Sequence, residues 1–251
     1  MDLGLKGKRV IVTGGSKGIG RATALTFAEE GADVAICARG AEALESTRGE
    51  LEALGVKAFA QSCDVGDADA LTGFLEAARA ALGGVDILVN NTSGFGVSDD
   101  EDGWRTGMQV DLMGSVRASW AVVPWMTEAG GGAIVHISST SGMEAGSPAP
   151  YAAVKAALIS HSKTMANQLA ASGIRVNCVA PGSIEFPGGL WEMVKEHNPQ
   201  QYESIRASIP FGRLGTDTEV ASAVVFVASP RASWIAGVTL PVDGVQHKGN
   251  L

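Results

Sequence analysis

Seven short runs rich in Val, Ile and Ala recur along the chain, separated by longer segments of helical period. The runs are Arg9–Thr13, Asp33–Ala38, Lys57–Gln61, Ile87–Asn90, Ala133–Ser138, Arg175–Ala180 and Val238–Pro241. Helical segments are expected at Gly18–Glu30, Ala41–Leu54, Asp67–Leu82, Asp102–Thr127, Pro150–Ser172 and Asp217–Ala228. Strands that are apolar throughout belong in a parallel sheet covered on both faces. A repeated strand–helix–strand pattern then forces right-handed crossovers. The expected fold is therefore α/β, a doubly wound parallel sheet with helices on both faces, formed as a single domain over residues 1–251.

Local punctuation agrees with these boundaries. Gly31, Gly55 and Gly173 each follow a helical segment, as residues that end helices in the left-handed conformation do. Thr216 with Glu219 predicts a capping box at the start of the last helix. Only residues 184–208 break the alternation, with Pro, Gly, Trp and mixed polar residues, and they read as an insertion.

Composition excludes several function classes. A net charge of −8 supplies no basic face to displace counterions, so no nucleic-acid partner is expected. No apolar stretch approaches the ~20 residues of a membrane span, and the N-terminus lacks a signal-peptide pattern. Cys37, Cys63 and Cys178 are widely spaced and read as small buried hydrophobes. With no disulfide pattern, a reducing, cytoplasmic setting is expected. His136, His161, His197 and His247 show no metal-ligand spacing, and His136 reads as a satisfied structural residue. No metal is expected.

The first strand runs straight into Thr13-Gly14-Gly15-Ser16-Lys17-Gly18-Ile19-Gly20, and a helix follows. Glycines at that junction let the backbone turn tightly and approach a pyrophosphate. The helix N-terminus then offers free N–H groups to the anion. The end of the second strand carries Ala38 and Arg39, with no carboxylate before Glu42. An acidic residue there would bind a ribose 2′-hydroxyl, whereas a guanidinium grips a 2′-phosphate. Lys17 adds a second positive charge within the turn, so NADP(H) is expected over NAD(H).

Further along, Tyr151 and Lys155 share one helix face at i,i+4 spacing, after a strand that ends in Ile137-Ser138-Ser139. A phenol titrates near 10, and a nearby ammonium favours its ionised form. The TGxxxGxG turn and this Ser…YxxxK arrangement resemble the short-chain dehydrogenase/reductase family, including its 3-oxoacyl-ACP-reductase-like members. The resemblance covers nearly the whole chain and implies a Rossmann-type fold.

That resemblance implies a cofactor site formed by Gly14, Ser16, Lys17, Gly18, Ile19, Gly20, Arg39, Asp64, Val65, Asn91, Tyr151, Lys155, Pro181, Gly182 and Ile184. It also implies catalytic roles. Tyr151 would be the general acid or base, Ser139 would bind the substrate oxygen, and Lys155 would hold the nicotinamide ribose. Ser139 lies twelve positions before Tyr151 where thirteen is common, so counting back gives Ser138. A one-residue deletion in Met143–Pro150 favours Ser139 instead.

Three positions depart from the family pattern. Ser93 stands where glycine is usual, Phe186 replaces a threonine near the nicotinamide, and Asp111 replaces the relay asparagine. Asparagine can donate through its amide, whereas an ionised aspartate only accepts. Asp111 is expected to remain in the relay with altered pH dependence. The alternatives are a dinucleotide-binding protein with little turnover, or isomerase or lyase chemistry on the same fold.

The expected activity is hydride transfer between NADP(H) and a ketone or secondary alcohol. Phe186, Leu190, Trp191 and Met193, with Phe95 and Trp104, would wall a pocket for a hydrophobic substrate beneath the insertion. Packing beneath the loop is the alternative reading of those residues. The final strand, after Trp234, is one that usually joins subunit contacts in the family, which implies a homotetramer.

Overall fold

Val10, Ile11, Val12, Val34, Ala35 and Ile36 are all sealed from solvent, because both faces of these strands meet a layer of helices. The computed structural model describes residues 1–249. Asn250 and Leu251, the last two residues of the expected domain, lie outside the described residues.

The chain runs β1 (Arg9–Thr13), α1 (Gly18–Glu29), β2 (Asp33–Ala38), α2 (Ala41–Ala53), β3 (Ala58–Ser62), α3 (Ala68–Leu82), β4 (Ile87–Asn90), α4 (Glu101–Thr106). It continues with α5 (Gly114–Glu128), β5 (Gly132–Ile137), α6 (Ala149–Leu169) and β6 (Ile174–Pro181). Then follow β7 (Ile184–Glu185), α7 (Leu190–His197), α8 (Pro199–Ser208), β8 (Gly215–Thr216), α9 (Asp217–Ala228) and β9 (Thr239–Val242). Seven strands form one parallel sheet in the order β3-β2-β1-β4-β5-β6-β9. Strand alternation sends Val10 and Val12 into the core under α1, α2 and α9, while Ile11 enters the core under α3, α5 and α6.

The helix ends follow their local chemistry. Gly31, Gly55 and Gly173 have φ of +79°, +81° and +70°, a region costly for residues with a Cβ. Thr216 and Glu219 form the reciprocal capping box at α9. The single helix expected over residues 102–127 is interrupted. It begins as α4, passes through π-helical turns at Gly107–Met113, and resumes as α5. Residue periodicity cannot reveal such a wide turn. Within it the fully buried Asp111 bonds to groups on two other segments.

The segment from 184 to 208 forms β7, α7 and α8, and β7 pairs with β8 in a separate two-stranded sheet. With the residues just after it, the segment builds a small core of Tyr202, Ile209 and Leu214, packed by Trp191, Val194 and Ile205. Among the described residues, no helix is long and apolar enough to cross a membrane.

Candidate active site

All the expected site segments follow the carboxyl ends of parallel strands. Strand order reverses at β1, where β2 lies on one side and β4 on the other, which opens a crevice between their outgoing loops. The glycine-rich turn occupies that crevice. Gly14 has φ of +69°, and a Cβ on Gly20 would lie 2.1 Å from the Gly14 carbonyl oxygen. Only a backbone without side chains closes this turn.

Asn91 braces the turn from β4, its side-chain amide donating to the Thr13 and Gly14 carbonyls at 3.1 Å each. The N-cap of α1, Lys17, makes no side-chain cap, so the first-turn N–H groups have no acceptor on that side among the described residues. The Thr92 hydroxyl is buried without a hydrogen-bond partner among the described residues, and it faces Gly14. Free helix donors and an orphaned hydroxyl at a bare-backbone turn fit a dinucleotide diphosphate.

The charges flanking this turn separate into two groups. Arg21 pairs with Glu50, and Arg48 pairs with Glu45 and Glu52. Lys17 and Arg39 are exposed and form no ion pair among the described residues. Asp64, after β3, accepts the Gly66 amide at 2.9 Å, while Val65 is buried against Gly114. Pro181 and Gly182 close β6, where Gly182 bonds to Val242 and Ser183 is held by Gln246. Ile184 enters the core.

Phe186 lies across the glycine-rich turn. A Cβ on Gly18 would meet its ring carbons at 2.5 to 2.8 Å, so the ring rests on the bare backbone. The other apolar residues of the insertion divide. Trp191 packs into the insertion's own core, whereas Leu190 and Met193 remain about half exposed.

Beyond β5 the two serines part. Ser138 donates to the Lys155 carbonyl at 2.8 Å and thereby ties β5 to α6. Ser139 accepts the Ser141 amide at 3.1 Å, capping the turn at Thr140–Gly142, and its O–H has no acceptor among the described residues. Lys155, only 2% exposed, is fixed on two sides: it donates to the Ile137 carbonyl at 3.1 Å and pairs with Asp111 Oδ1 at 3.0 Å. Its ammonium lies 5.5 Å from the Tyr151 ring centroid. Burial lowers the Lys155 pKa, but the charge of Asp111, then Tyr151 and the Asp111 hydrogen bond, outweigh it and leave a net rise. Asp111 is held in turn by Ser93 Oγ at 2.6 Å and the Gly94 amide at 2.8 Å. Phe95, at φ of +48°, stacks parallel to Tyr151 with centroids 6.0 Å apart.

Beneath this layer lies a second, polar one that sequence reading did not anticipate. Asn90 Nδ2 reaches Ser119 Oγ and His136 Nδ1, both at 3.3 Å, and His136 packs against His161 with centroids 5.6 Å apart. Asn90 Oδ1, His136 Nε2, His161 Nε2 and Ser162 Oγ are buried without partners among the described residues. His136 is thus partnered at Nδ1 but not at Nε2 among the described residues, where its strand position suggests a satisfied residue. Burial, then the charges of His161 and Lys155, push its pKa down to about 3.

A parallel sheet with a glycine-rich turn at its switch point defines a Rossmann-type domain. The family described as Enoyl-(Acyl carrier protein) reductase matches residues 14–245. Isoepoxydon dehydrogenase of Penicillium expansum is 36% identical, covering 99% of this chain and 98% of that protein. The 3-oxoacyl-[acyl-carrier-protein] reductase of Vibrio cholerae is 38% identical, covering 96% and 98% respectively. L-sorbose reductase from Gluconobacter frateurii, solved with NADPH and L-sorbose, superimposes with a TM-score of 0.91 at 33% identity, covering 99% of this chain and all of that one. The chain belongs to the short-chain dehydrogenase/reductase family and is an oxidoreductase of that family.

Proposed function

We propose that this protein transfers hydride between NADP(H) and a ketone or secondary alcohol, with Ser139, Tyr151, Lys155 and Asp111 as its catalytic group. The observation that carries this reading is the buried Lys155, fixed beside Tyr151 by Asp111 and the Ile137 carbonyl. A buried ammonium held this way has no structural need to adjoin a phenol.

When bound, the nicotinamide supplies or accepts the hydride. The protein handles the proton. Tyr151 donates its hydroxyl proton to the carbonyl oxygen in reduction and removes it from the alcohol in oxidation. Ser139, with its O–H free, donates to the same oxygen and steadies its developing charge. An ammonium has three donors. Two of those on Lys155 go to Asp111 and Ile137, which leaves the third for a ribose hydroxyl, with the charge itself close to Tyr151. Asp111 acts through Lys155 in the relay, since a carboxylate bound to Ser93, Gly94 and Lys155 fixes the ammonium directly.

Gly14, Ser16, Gly18, Ile19 and Gly20 would cradle the diphosphate, with Asn91 bracing them, and Asp64 and Val65 would border the adenine. Pro181, Gly182 and Ile184 would flank the nicotinamide. The unpaired charges of Lys17 and Arg39 support a 2′-phosphate and hence NADP(H). The NADPH held by the sorbose reductase supports the same choice. The exposed Phe95 beside Tyr151, with Leu190 and Met193 on the insertion, supports a hydrophobic substrate covered by residues 184–208. Exposed Trp120 and Trp234, 64% and 98% accessible, support assembly into a homotetramer. The acidic surface disfavours nucleic acid.

The test is to titrate the protein with NADPH and NADH and follow absorbance loss across a panel of hydrophobic ketones, with Tyr151→Phe as control. Turnover with NADPH that vanishes in Y151F, while NADPH binding persists, supports the reading. Tight NADPH binding with no turnover of any ketone or alcohol would replace it with a binding-protein role.

A further inference from the structure

Two of the departures from the family pattern meet in space. Ser93 Oγ donates to Asp111 Oδ1 at 2.6 Å, and the same oxygen accepts the Phe95 amide at 3.2 Å. One hydroxyl thus lies between two groups that flank Tyr151. On one side, Asp111 holds the Lys155 ammonium at 3.0 Å. On the other, the backbone of Phe95 is turned to φ of +48° and its ring lies parallel to Tyr151, 5° between planes.

We infer that Ser93 is a positioning residue for the Tyr151–Lys155 pair, fixing both the carboxylate that holds the lysine and the turn that lays Phe95 along the tyrosine. This rests on the hydride-transfer reading above. The physical case begins with Asp111, which is fully buried. A buried carboxylate must be met by donors on both oxygens to stay ionised and oriented. Gly94 meets Oδ2, and Ser93 shares Oδ1 with Lys155.

Without the Ser93 hydroxyl, Oδ1 would face Lys155 alone, and the ammonium would be drawn from the Ile137 carbonyl toward the carboxylate. The Phe95 amide would also lose its acceptor in a conformation that is strained for a residue with a Cβ. Glycine at position 93 supplies neither bond, so it suits the asparagine of the family pattern better than the aspartate present here. The aspartate and the serine therefore form one hydrogen-bonded unit in this chain.

The other titratable groups facing Lys155 are Tyr151 on its own helix and Cys178 on β6, with His136 on β5 also within its electrostatic reach. None of them contacts Ser93 in the hydrogen-bond network described. A pH effect that Ser93 exerts must therefore pass through Asp111 or through the Phe95 turn.

The experiment is a double-substitution cycle on the full chain: Ser93→Ala, Asp111→Asn and both together, with Ser93→Thr as the conservative variant. Each is measured for kcat, KM and the pH profile of kcat, and separately for the NADPH dissociation constant by fluorescence. A hydrogen bond to a charged group predicts that S93A lowers kcat at least about tenfold and moves its pH profile. The same substitution in the D111N background should lower kcat by less than about threefold, and S93T should retain the hydroxyl and most of the rate. Equal effects of S93A in both backgrounds, or an unmoved pH profile with only a lower Tm, would overturn the inference.

Failure of the broader reading shows separately, as an unsubstituted protein that turns over no carbonyl. The NADPH dissociation constants then decide the matter, because on this reading Lys155 would also hold the ribose. Coupling of about threefold or more between Ser93 and Asp111 in that binding supports the inference, and independence of the two positions overturns it.

Discussion

His136 offers a direct physical test of how tightly the layer beneath the active site is sealed. Its ring is fully buried, its Nε2 has no partner among the described residues, and its pKa falls from 6.5 to about 3 through burial, then His161 and Lys155. Between those two pH values the unfolded chain binds a proton that the folded chain refuses. Stability therefore rises with pH across that window. The contribution is complete above about 6.5 and is lost progressively as pH falls toward about 3.

From pH 7.5 to 5.0 the loss depends almost wholly on the unfolded value and comes to about 2 kcal/mol. In urea, with a slope of about 2–3 kcal/mol/M, that lowers the midpoint by about 0.7–1 M. The assay compares wild type with His136→Gln at both pH values and fixed protein concentration. The constant effect of the substitution cancels, and the pH-dependent difference isolates the histidine. His161, whose pKa burial also lowers, contributes with the same sign in both proteins. A difference between the two proteins below about 0.5 kcal/mol would show that His136 titrates normally and that water reaches it.

Cofactor choice is predicted to turn on Arg39: Arg39→Asp should weaken NADPH binding by about tenfold or more while leaving NADH binding within about threefold, by isothermal titration. An equal loss for both cofactors would remove the 2′-phosphate argument. Phe186→Thr should tighten NADPH binding several-fold, because it lifts a ring off Gly18 and supplies a hydroxyl; weaker binding would mean that the ring packs on the cofactor instead. Thr216→Ala breaks the capping box of α9 and should destabilise the fold by about 1 kcal/mol in urea denaturation, with kcat unchanged.

The legible parts of this protein were those governed by local rules. Strand alternation and glycine placement define the sheet, and the strand bounds moved little: Lys57–Gln61 became Ala58–Ser62. The capping box and the helix-ending glycines depend only on neighbours within a few residues. What stayed hidden depends on contacts between distant segments. The π-helical turns around Asp111 leave no periodic trace, and the contacts of its carboxylate come from Gly94 and Lys155, on other segments. Counting alone does not separate the adjacent serines, since what distinguishes them is the α6 carbonyl that Ser138 meets and the Ser141 amide that Ser139 caps. For Trp191 the sequence leaves pocket wall and packing beneath the loop both open, and the structure gives the second, the indole anchoring the insertion's own core.

The hidden features share a physical origin. Replacing an amide by a carboxylate at position 111 adds a buried charge, and a buried charge has to be answered locally or it titrates away. The answers visible here are a serine where glycine is usual, a backbone amide presented by the turn after it, and the lysine itself. These groups also hold the parts that would move a proton. The departures from the family pattern at positions 93 and 111 thus need not signal a lost reaction. A charge that was merely tolerated would be expected to sit at the rim, where water could answer it. This one sits at the centre, fully buried and with each oxygen bonded, so its effect should appear in the pH dependence of turnover before it appears in turnover itself.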